Sequence, residues 1–146
     1  MPEKETLERA KKDKREGKAA STQAGEFVRE EIEHVREGKH GARSTKQAIA
    51  IGLSKARRAG VKLSPPKNAS KETRDQAARD SRKGKSPGKG KKSAKRSRAT
   101  LAALKREGHS AASKTALSRQ AHKAAARRSA ASRSRSAKKA AATRRK

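Results

Sequence analysis

The sequence predicts an all-α protein in which small helical hairpins carry a long disordered basic linker and a disordered basic C-terminal tail. Large apolar residues recur at helical spacing in one stretch, residues 22–63, and are scarce elsewhere. Leu, Ile, Val and Phe together make up only 13 of the 146 residues, and the chain has a net charge of +29. Chains with so few large apolar residues and so much charge tend to stay disordered, so we expect packing to be confined to the hairpins.

The stretch 22–63 holds the predicted core. A first helix is expected over 22–37, because its apolar residues fall on one face and most of its glutamates on the other. A second helix is expected over 45–59, with Ser44 as its N-cap and Gln47 completing a capping box. A glycine follows each helix, as at many helix C-termini, and a Pro-Pro pair ends the unit.

This core is small for an independent domain. Its large apolar residues span 37 residues, and a unit of that size usually needs a staple or a partner. The chain has no cysteine, which excludes disulfides and thiolate metal sites. We therefore expect a homodimer formed through residues 22–63, or folding coupled to a ligand, to supply the missing stability.

Five segments are expected along the chain: a polar N-terminal helix (1–21), the helical hairpin core (22–66), a basic low-complexity linker (67–97), a second, weaker hairpin (98–128) and a disordered basic tail (129–146). A short polar helix is expected early in the linker. In the second hairpin, Leu101 and Leu104 would pack against Leu117 and Ala121.

The tripeptide Arg-Glu-Gly occurs three times, each time followed by a short loop and a serine. The glycines are Gly17, Gly38 and Gly108, and the serines are Ser21, Ser44 and Ser113. Glycine just past a helix end readily takes the left-handed conformation, and serine caps the next helix. Each copy therefore predicts helix, C-cap, loop, N-cap and helix. Internal duplication and chance recurrence in a basic chain both account for the pattern.

The sequence gives little support to catalysis, so we expect no enzyme activity, no catalytic residue and no cofactor. His34 and His40 are six residues apart around a helix end, which is not the usual ligand spacing on one helix. We interpret them as exposed histidines and expect no metal site. Glu30, Glu31 and Glu33 are interpreted as a solvated or arginine-pairing face of the first helix.

The charge is divided unequally along the chain. Residues 1–40 contain ten basic and ten acidic residues, whereas residues 41–146 contain 33 basic and four acidic residues and so carry the whole +29. Such a segment repels itself unless a polyanion neutralises it, and nucleic acid is the polyanion that best fits. Neutralised phosphates release counterions, which requires positive charge rather than a shaped pocket.

The residue types favour duplex DNA over single strands. One phenylalanine and no tyrosine or tryptophan leave no platform on which bases could stack. The loop between the two core helices is longer than a helix-turn-helix turn, so we expect binding largely without sequence preference. The candidate DNA-binding residues are Arg43, Ser44, Thr45, Lys46, Lys55, Arg57, Arg58, Arg82, Lys83, Lys85, Lys89, Lys91, Lys92, Lys95, Arg96, Arg98, Arg119, Arg127, Arg128, Arg133, Arg135, Lys138, Lys139, Arg144, Arg145 and Lys146.

Two stretches resemble a family of small basic bacterial proteins of uncharacterised function, often labelled DNA-binding or plasmid-stabilisation proteins. They are STQAGEFVREEIEHVREGKHGARSTKQAIAIGLSKARRAGVKL and KRSRATLAALKREGHSAASKTALSRQAHKAAARRS. The resemblance implies DNA binding and assigns no active-site residue. The composition of the tail is also similar to that of linker-histone tails.

These observations predict a cytoplasmic, nucleoid-associated protein that binds duplex DNA through phosphates and compacts or bridges it. No apolar run approaches the length of a membrane span and no secretory signal precedes the core, so we expect no membrane partner. Two alternatives stay open. One is an RNA- or ribosome-associated basic protein. The other is a protein-interaction hairpin, with an acidic first helix, that the basic tail tethers to DNA.

Overall fold

The computed structural model describes residues 1–86 and 93–145. Regular structure in these ranges is helical throughout, which confirms the all-α prediction. The helices are α1 (Lys4–Arg15), α2 (Ala20–Arg36), α3 (Thr45–Arg58), α4 (Lys71–Lys85), α5 (Ala94–Lys105), α6 (Lys114–Ala126) and α7 (Ala130–Arg144), with a 3₁₀ turn at Ser110–Ala112 before α6. Among these described helices, none has the length and apolar character needed to cross a membrane.

Helices α2 and α3 form the predicted hairpin. The buried face of α3 is made of small residues four positions apart, Ala48, Gly52 and Ala56. A Cβ atom added to Gly52 would lie 2.6 Å from the Cα of Val28, so only glycine allows the two backbones to approach this closely. The larger apolar side chains of α3 are half-buried beside this stripe rather than centred on it.

Two apolar clusters stabilise the hairpin, and both draw on other segments of the chain. In the first, Ala24 and Phe27 of α2 pack with Ala10 of α1, Ala56 and Val61. In the second, Ile32, Val35, Ala42 and Ala48 pack with Ala111 and Ala112, and the half-buried Leu117 covers them. Some of the extra packing that a small core needs is therefore supplied within the chain, and dimerisation stays a prediction.

Residues 71–85, predicted to lie in the linker, form a packed helix. Asp80 of α4 is fully buried and accepts hydrogen bonds from the Ser54 hydroxyl, from Arg58 Nε at 2.7 Å and from Gln76 Nε2 at 3.2 Å. Burial alone would raise the pKa of Asp80, but these hydrogen bonds outweigh it and hold the pKa below its ordinary value. The carboxylate thus fastens α4 to α3 in its charged form.

The second hairpin differs from the predicted one. Leu117 packs on the α2–α3 cluster, whereas Leu101 is 45% exposed and α5 contains no buried residue. Leu117 follows the 3₁₀ turn, which contacts α2 and α3. The turn therefore brings the Leu117 side chain to the α2–α3 cluster, which offers more apolar surface than α5 does.

Residues 130–144, predicted to be a disordered tail, form α7. Ser129 caps the helix by accepting a hydrogen bond from the Ser132 N–H at 3.2 Å. The helix is rich in alanine, the residue with the highest helix propensity, and it buries no residue. The Ser129 cap and the helix propensity of alanine therefore account for α7 without tertiary packing.

The second and third Arg-Glu-Gly loops contact each other. The N–H of Gly41 donates to the carbonyl of Leu104 at 2.9 Å, and that of Ala42 to the carbonyl of Gly108 at 3.0 Å. A Cβ on Gly41 would lie 1.9 Å from the Glu107 carbonyl oxygen, so glycine is required there.

The helix signals predicted for the three copies are only partly present. Ser44 and Ser113 are N-caps, as predicted, but Ser21 is not, because α2 begins earlier with Ala19 at the N-cap. The first two glycines have positive φ angles of 70° and 74°, whereas the third glycine does not. The second and third copies are alike in their N-caps but not in their helix ends.

Candidate nucleic-acid interface

A groove of about 590 Å³ lies where α3 and α6 begin. Ser44 caps α3 and Ser113 caps α6, each accepting a hydrogen bond from a first-turn N–H. The other first-turn N–H groups of a helix have no intrahelical acceptor, and each helix N-terminus carries partial positive charge. Two such termini therefore face one groove.

Four basic side chains line this groove: Arg43, Lys46, Arg119 and Lys123. All four residues are exposed, and the described residues that line the groove include no aspartate or glutamate. None of them takes part in an ion pair found within residues 1–86 and 93–145. Unpaired cations beside free backbone N–H groups suit a phosphate group.

Two hydrogen bonds hold the groove together. The Thr45 hydroxyl donates to the Ala111 carbonyl at 2.6 Å, and Arg36 Nε donates to the Ala112 carbonyl at 2.9 Å. Thr45 is buried, so this predicted DNA contact instead joins α3 to the 3₁₀ turn. Ser44 is exposed at the groove, although its side chain already caps α3.

Lys55, predicted to contact DNA, is used inside the protein. Its Nζ lies 2.7 Å from Glu31 and 3.3 Å from Glu30. Both glutamates are buried, so the prediction of a solvated face is wrong for these two. Burial would raise the pKa of Glu30, but hydrogen bonds from the Thr6 hydroxyl, the Glu3 backbone N–H and Lys55 outweigh it and lower the pKa. The spacing of residues on α2 did not predict that these glutamates are buried, because α1 covers that side of α2.

Two other basic residues of α3 are also engaged internally. Arg57 is buried, and its Nε donates to the Leu63 carbonyl at 3.0 Å. Arg58 is half exposed but pairs with Asp80. Arg57 is therefore engaged inside the protein, and Arg58 would have to leave Asp80 to bind a phosphate.

Most of the other predicted DNA-binding residues are exposed on the later helices. On α4, α5, the α6–α7 junction and α7 these are Arg82, Lys83, Lys85, Lys95, Arg96, Arg98, Arg127, Arg128, Arg133, Arg135, Lys138, Lys139, Arg144 and Arg145. Lys89, Lys91, Lys92 and Lys146 lie outside the described residues.

Sequence reasoning missed Lys123 as a groove residue. Arg119 and Lys123 are four residues apart on α6, a spacing that puts them on one helix face. That spacing was visible in the sequence, but the pairing of α6 with the start of α3 was not.

A second polar cluster lies at the C-terminal end of α2. His40 is buried and its Nε2 lies 2.9 Å from Glu31 Oε1, while His34 is mostly buried and its Nε2 lies 3.0 Å from Glu3 Oε1. The prediction that these two histidines are exposed is wrong. The other two histidines of the chain are exposed, as predicted.

The fold and the groove describe a small, strongly basic helical protein with a groove lined by four exposed cations. Residues 4–68 match the sequence model of a family of unknown function (DUF6496). The matched stretch contains α1, α2, α3 and the α3 side of the groove, and it agrees with the predicted similarity to an uncharacterised family. Neither the curated proteins nor the solved structures include a match to this chain.

Proposed function

We propose that this protein binds duplex DNA through its phosphates, largely without sequence preference, and compacts or bridges it. The observation that carries the proposal is that the cations of the later helices lie apart from the part of the chain that forms ion pairs. Every ion pair found in the described parts of the chain joins residues between 3 and 80. Helices α5, α6 and α7 contain no aspartate or glutamate, so their cations are available to a polyanion.

The groove adds a defined phosphate site to the exposed charge of these helices. A phosphate placed between the starts of α3 and α6 would accept hydrogen bonds from backbone N–H groups and from Arg43 and Arg119. Such a contact positions the duplex but reads no base.

Bridging follows from having cationic surfaces on several helices. A duplex held at the groove leaves the cations of α7 free to reach a second duplex, and a homodimer through residues 22–63 would double both surfaces. The proposal places the protein in the cytoplasm, associated with the nucleoid or with plasmid DNA.

A binding titration of the full chain tests the proposal. The probe is a fluorescent random-sequence DNA duplex, titrated over a series of salt concentrations, with an RNA duplex of equal length as competitor. We expect log affinity to fall steeply and linearly with log salt, by about 0.9 per phosphate contacted. Binding that ignores salt would contradict phosphate recognition, and tighter binding to the RNA duplex would assign the protein to RNA instead.

A matched pair of variants tests the groove. The groove variant replaces Arg43, Lys46, Arg119 and Lys123 with glutamine. The α1 control variant makes the same change at four exposed cations: Lys4, Lys11, Lys14 and Arg15. Both lose four charges, so net charge alone predicts equal weakening. The proposal predicts that the groove variant loses more affinity and more salt dependence, and equal losses would remove the groove from the binding site.

A further inference from the structure

We propose that Glu31, His34 and His40 form a binding site for a divalent metal ion of the Zn²⁺ type. Each residue offers one ligand atom, and these atoms lie within 4.8 Å of one another. Ligands bound tetrahedrally to Zn²⁺ at about 2.0–2.1 Å are about 3.4 Å apart, so modest side-chain rotations bring the three atoms to bonding distance. Two imidazoles and one carboxylate form a known zinc-binding set that leaves one position open.

The hydrogen bonds around His40 favour a cation at this place. His40 Nδ1 lies 2.9 Å from the carbonyl oxygen of Gly41, which can only accept, so Nδ1 carries a proton. In the neutral ring Nε2 then has a lone pair, and that lone pair faces Glu31 Oε1 at 2.9 Å. Two acceptors face each other there unless a second proton or a metal ion lies between them.

The position of His34 favours the metal ion over the proton. A proton would satisfy His40 and Glu31 alone, whereas a metal ion would also use the second imidazole, His34, whose ligand atom lies within 4.8 Å of the other two. The two imidazole rings lie with their centroids 6.1 Å apart and nearly perpendicular. Glu31 and His34 are three residues apart on α2, so one helix face presents both, and the loop after α2 returns His40 to them.

The surroundings resemble the outer shell of a metal site. The Gly41 carbonyl orients His40, and the Glu3 carboxylate lies 3.0 Å from His34 Nε2. Metal-binding histidines commonly donate their second ring N–H to such groups. Lys55 pairs with the other oxygen of Glu31 at 2.7 Å, which leaves Oε1 for the ion.

A metal ion here would act as a structural staple. It would tie the end of α2 to the loop that leads into α3, in a chain that has no disulfide. That loop continues to the nucleic-acid groove, but the metal site stands on its own geometry and does not depend on DNA binding.

The test measures Zn²⁺ and Co²⁺ binding to the full chain by calorimetry and visible absorption, with unfolding temperatures in Zn²⁺ and in chelator. The variants are His34→Gln and His40→Gln, and the control is His122→Gln, an exposed histidine on α6. We expect wild type and control to bind one ion per chain, to show Co²⁺ bands and to melt higher in Zn²⁺. Each site variant should weaken binding by at least about 10–100-fold.

Circular dichroism in chelator shows whether each variant folds without metal. If His40→Gln fails to fold, His34→Gln decides alone, since its side chain is less enclosed. The proposal is overturned if wild type takes up neither ion, or if the control loses as much affinity as the site variants.

Discussion

Helices α3 and α7 are both short and basic, yet they use their cations in opposite ways. On α3, Lys55 and Arg58 reach buried carboxylates on neighbouring helices. On α7 the arginines and lysines are exposed, and the helix contains no acidic residue. What distinguishes Lys55 and Arg58 from the cations of α7 is a carboxylate within reach, and the sequence places almost all of its carboxylates before residue 81.

The same division separates packed from unpacked helices. Helix α3 is held by a stripe of small residues against α2, and by Asp80 of α4. Helix α7 buries no residue. An isolated helix of this length is marginal in water, so we expect α7 to open far more easily than α3.

The largest effect is expected at the contact between α2 and α3. Gly52→Ala should destabilise the protein by about 2–3 kcal/mol, because the added methyl meets the backbone at Val28 and the overlap outweighs the better helix propensity of alanine. Gly25→Ala is the matched control, since a Cβ at Gly25 meets nothing within 4 Å. Gly25→Ala should raise the free energy of unfolding by up to about 1 kcal/mol. Urea unfolding measures both, and a destabilised control would contradict the account.

The next effect concerns Asp80. Asp80→Ala should reduce the free energy of unfolding by about 2 kcal/mol, because it removes the hydrogen bonds that fasten α4 to α3. Asp75→Ala, at an exposed position of the same helix, should change it by less than about 0.5 kcal/mol. If the two variants are equally stable, α4 is not held by Asp80.

Acid should weaken the same contact. The folded-state pKa of Asp80 lies below its ordinary value of 3.8, so the stability that it contributes is present above that pH and is lost as the pH falls through the folded pKa. Urea unfolding of wild type and Asp80→Asn across this range measures the effect. The difference between them should shrink in acid, and a constant difference would contradict a charged Asp80.

The smallest effects compare two equivalent caps. Ser44→Ala should lower the free energy of unfolding by about 1 kcal/mol, because α3 is part of the packed unit. Ser129→Ala removes the cap of α7 and should reduce helical circular dichroism while leaving the main unfolding transition unchanged. A shift of that transition by Ser129→Ala would show that α7 is packed after all.

The hairpin could be predicted from sequence because its signals are local. Apolar spacing, the Ser44 cap and the glycine after α2 each act within one helix turn. The contacts of Asp80 and Leu117 could not be predicted, since they join residues far apart in the chain through few large side chains. The tail was predicted to be disordered because composition reports the lack of a core, whereas its alanine content and the Ser129 cap favour a helix without one.

The candidate site was predictable in type but not in place. Counting charge found the basic region, but it could not show that Lys55 and Arg57 point inward. The burial of Glu31 was missed for the same reason, because helical periodicity does not reveal that α1 and the loop after α2 cover that side.

The most direct test of the account compares equal charge losses in the two regions. The α7 variant replaces Arg133, Arg135, Lys138 and Lys139 with glutamine, and the α1 control variant defined above removes four charges from the carboxylate-rich region. The measurement is the salt dependence of binding to a random DNA duplex, with circular dichroism to confirm helix content. We predict that the log–log slope becomes shallower by up to about 3.6 in the α7 variant and changes little in the control. Equal changes would contradict the proposal that helices without carboxylates supply most of the phosphate contacts.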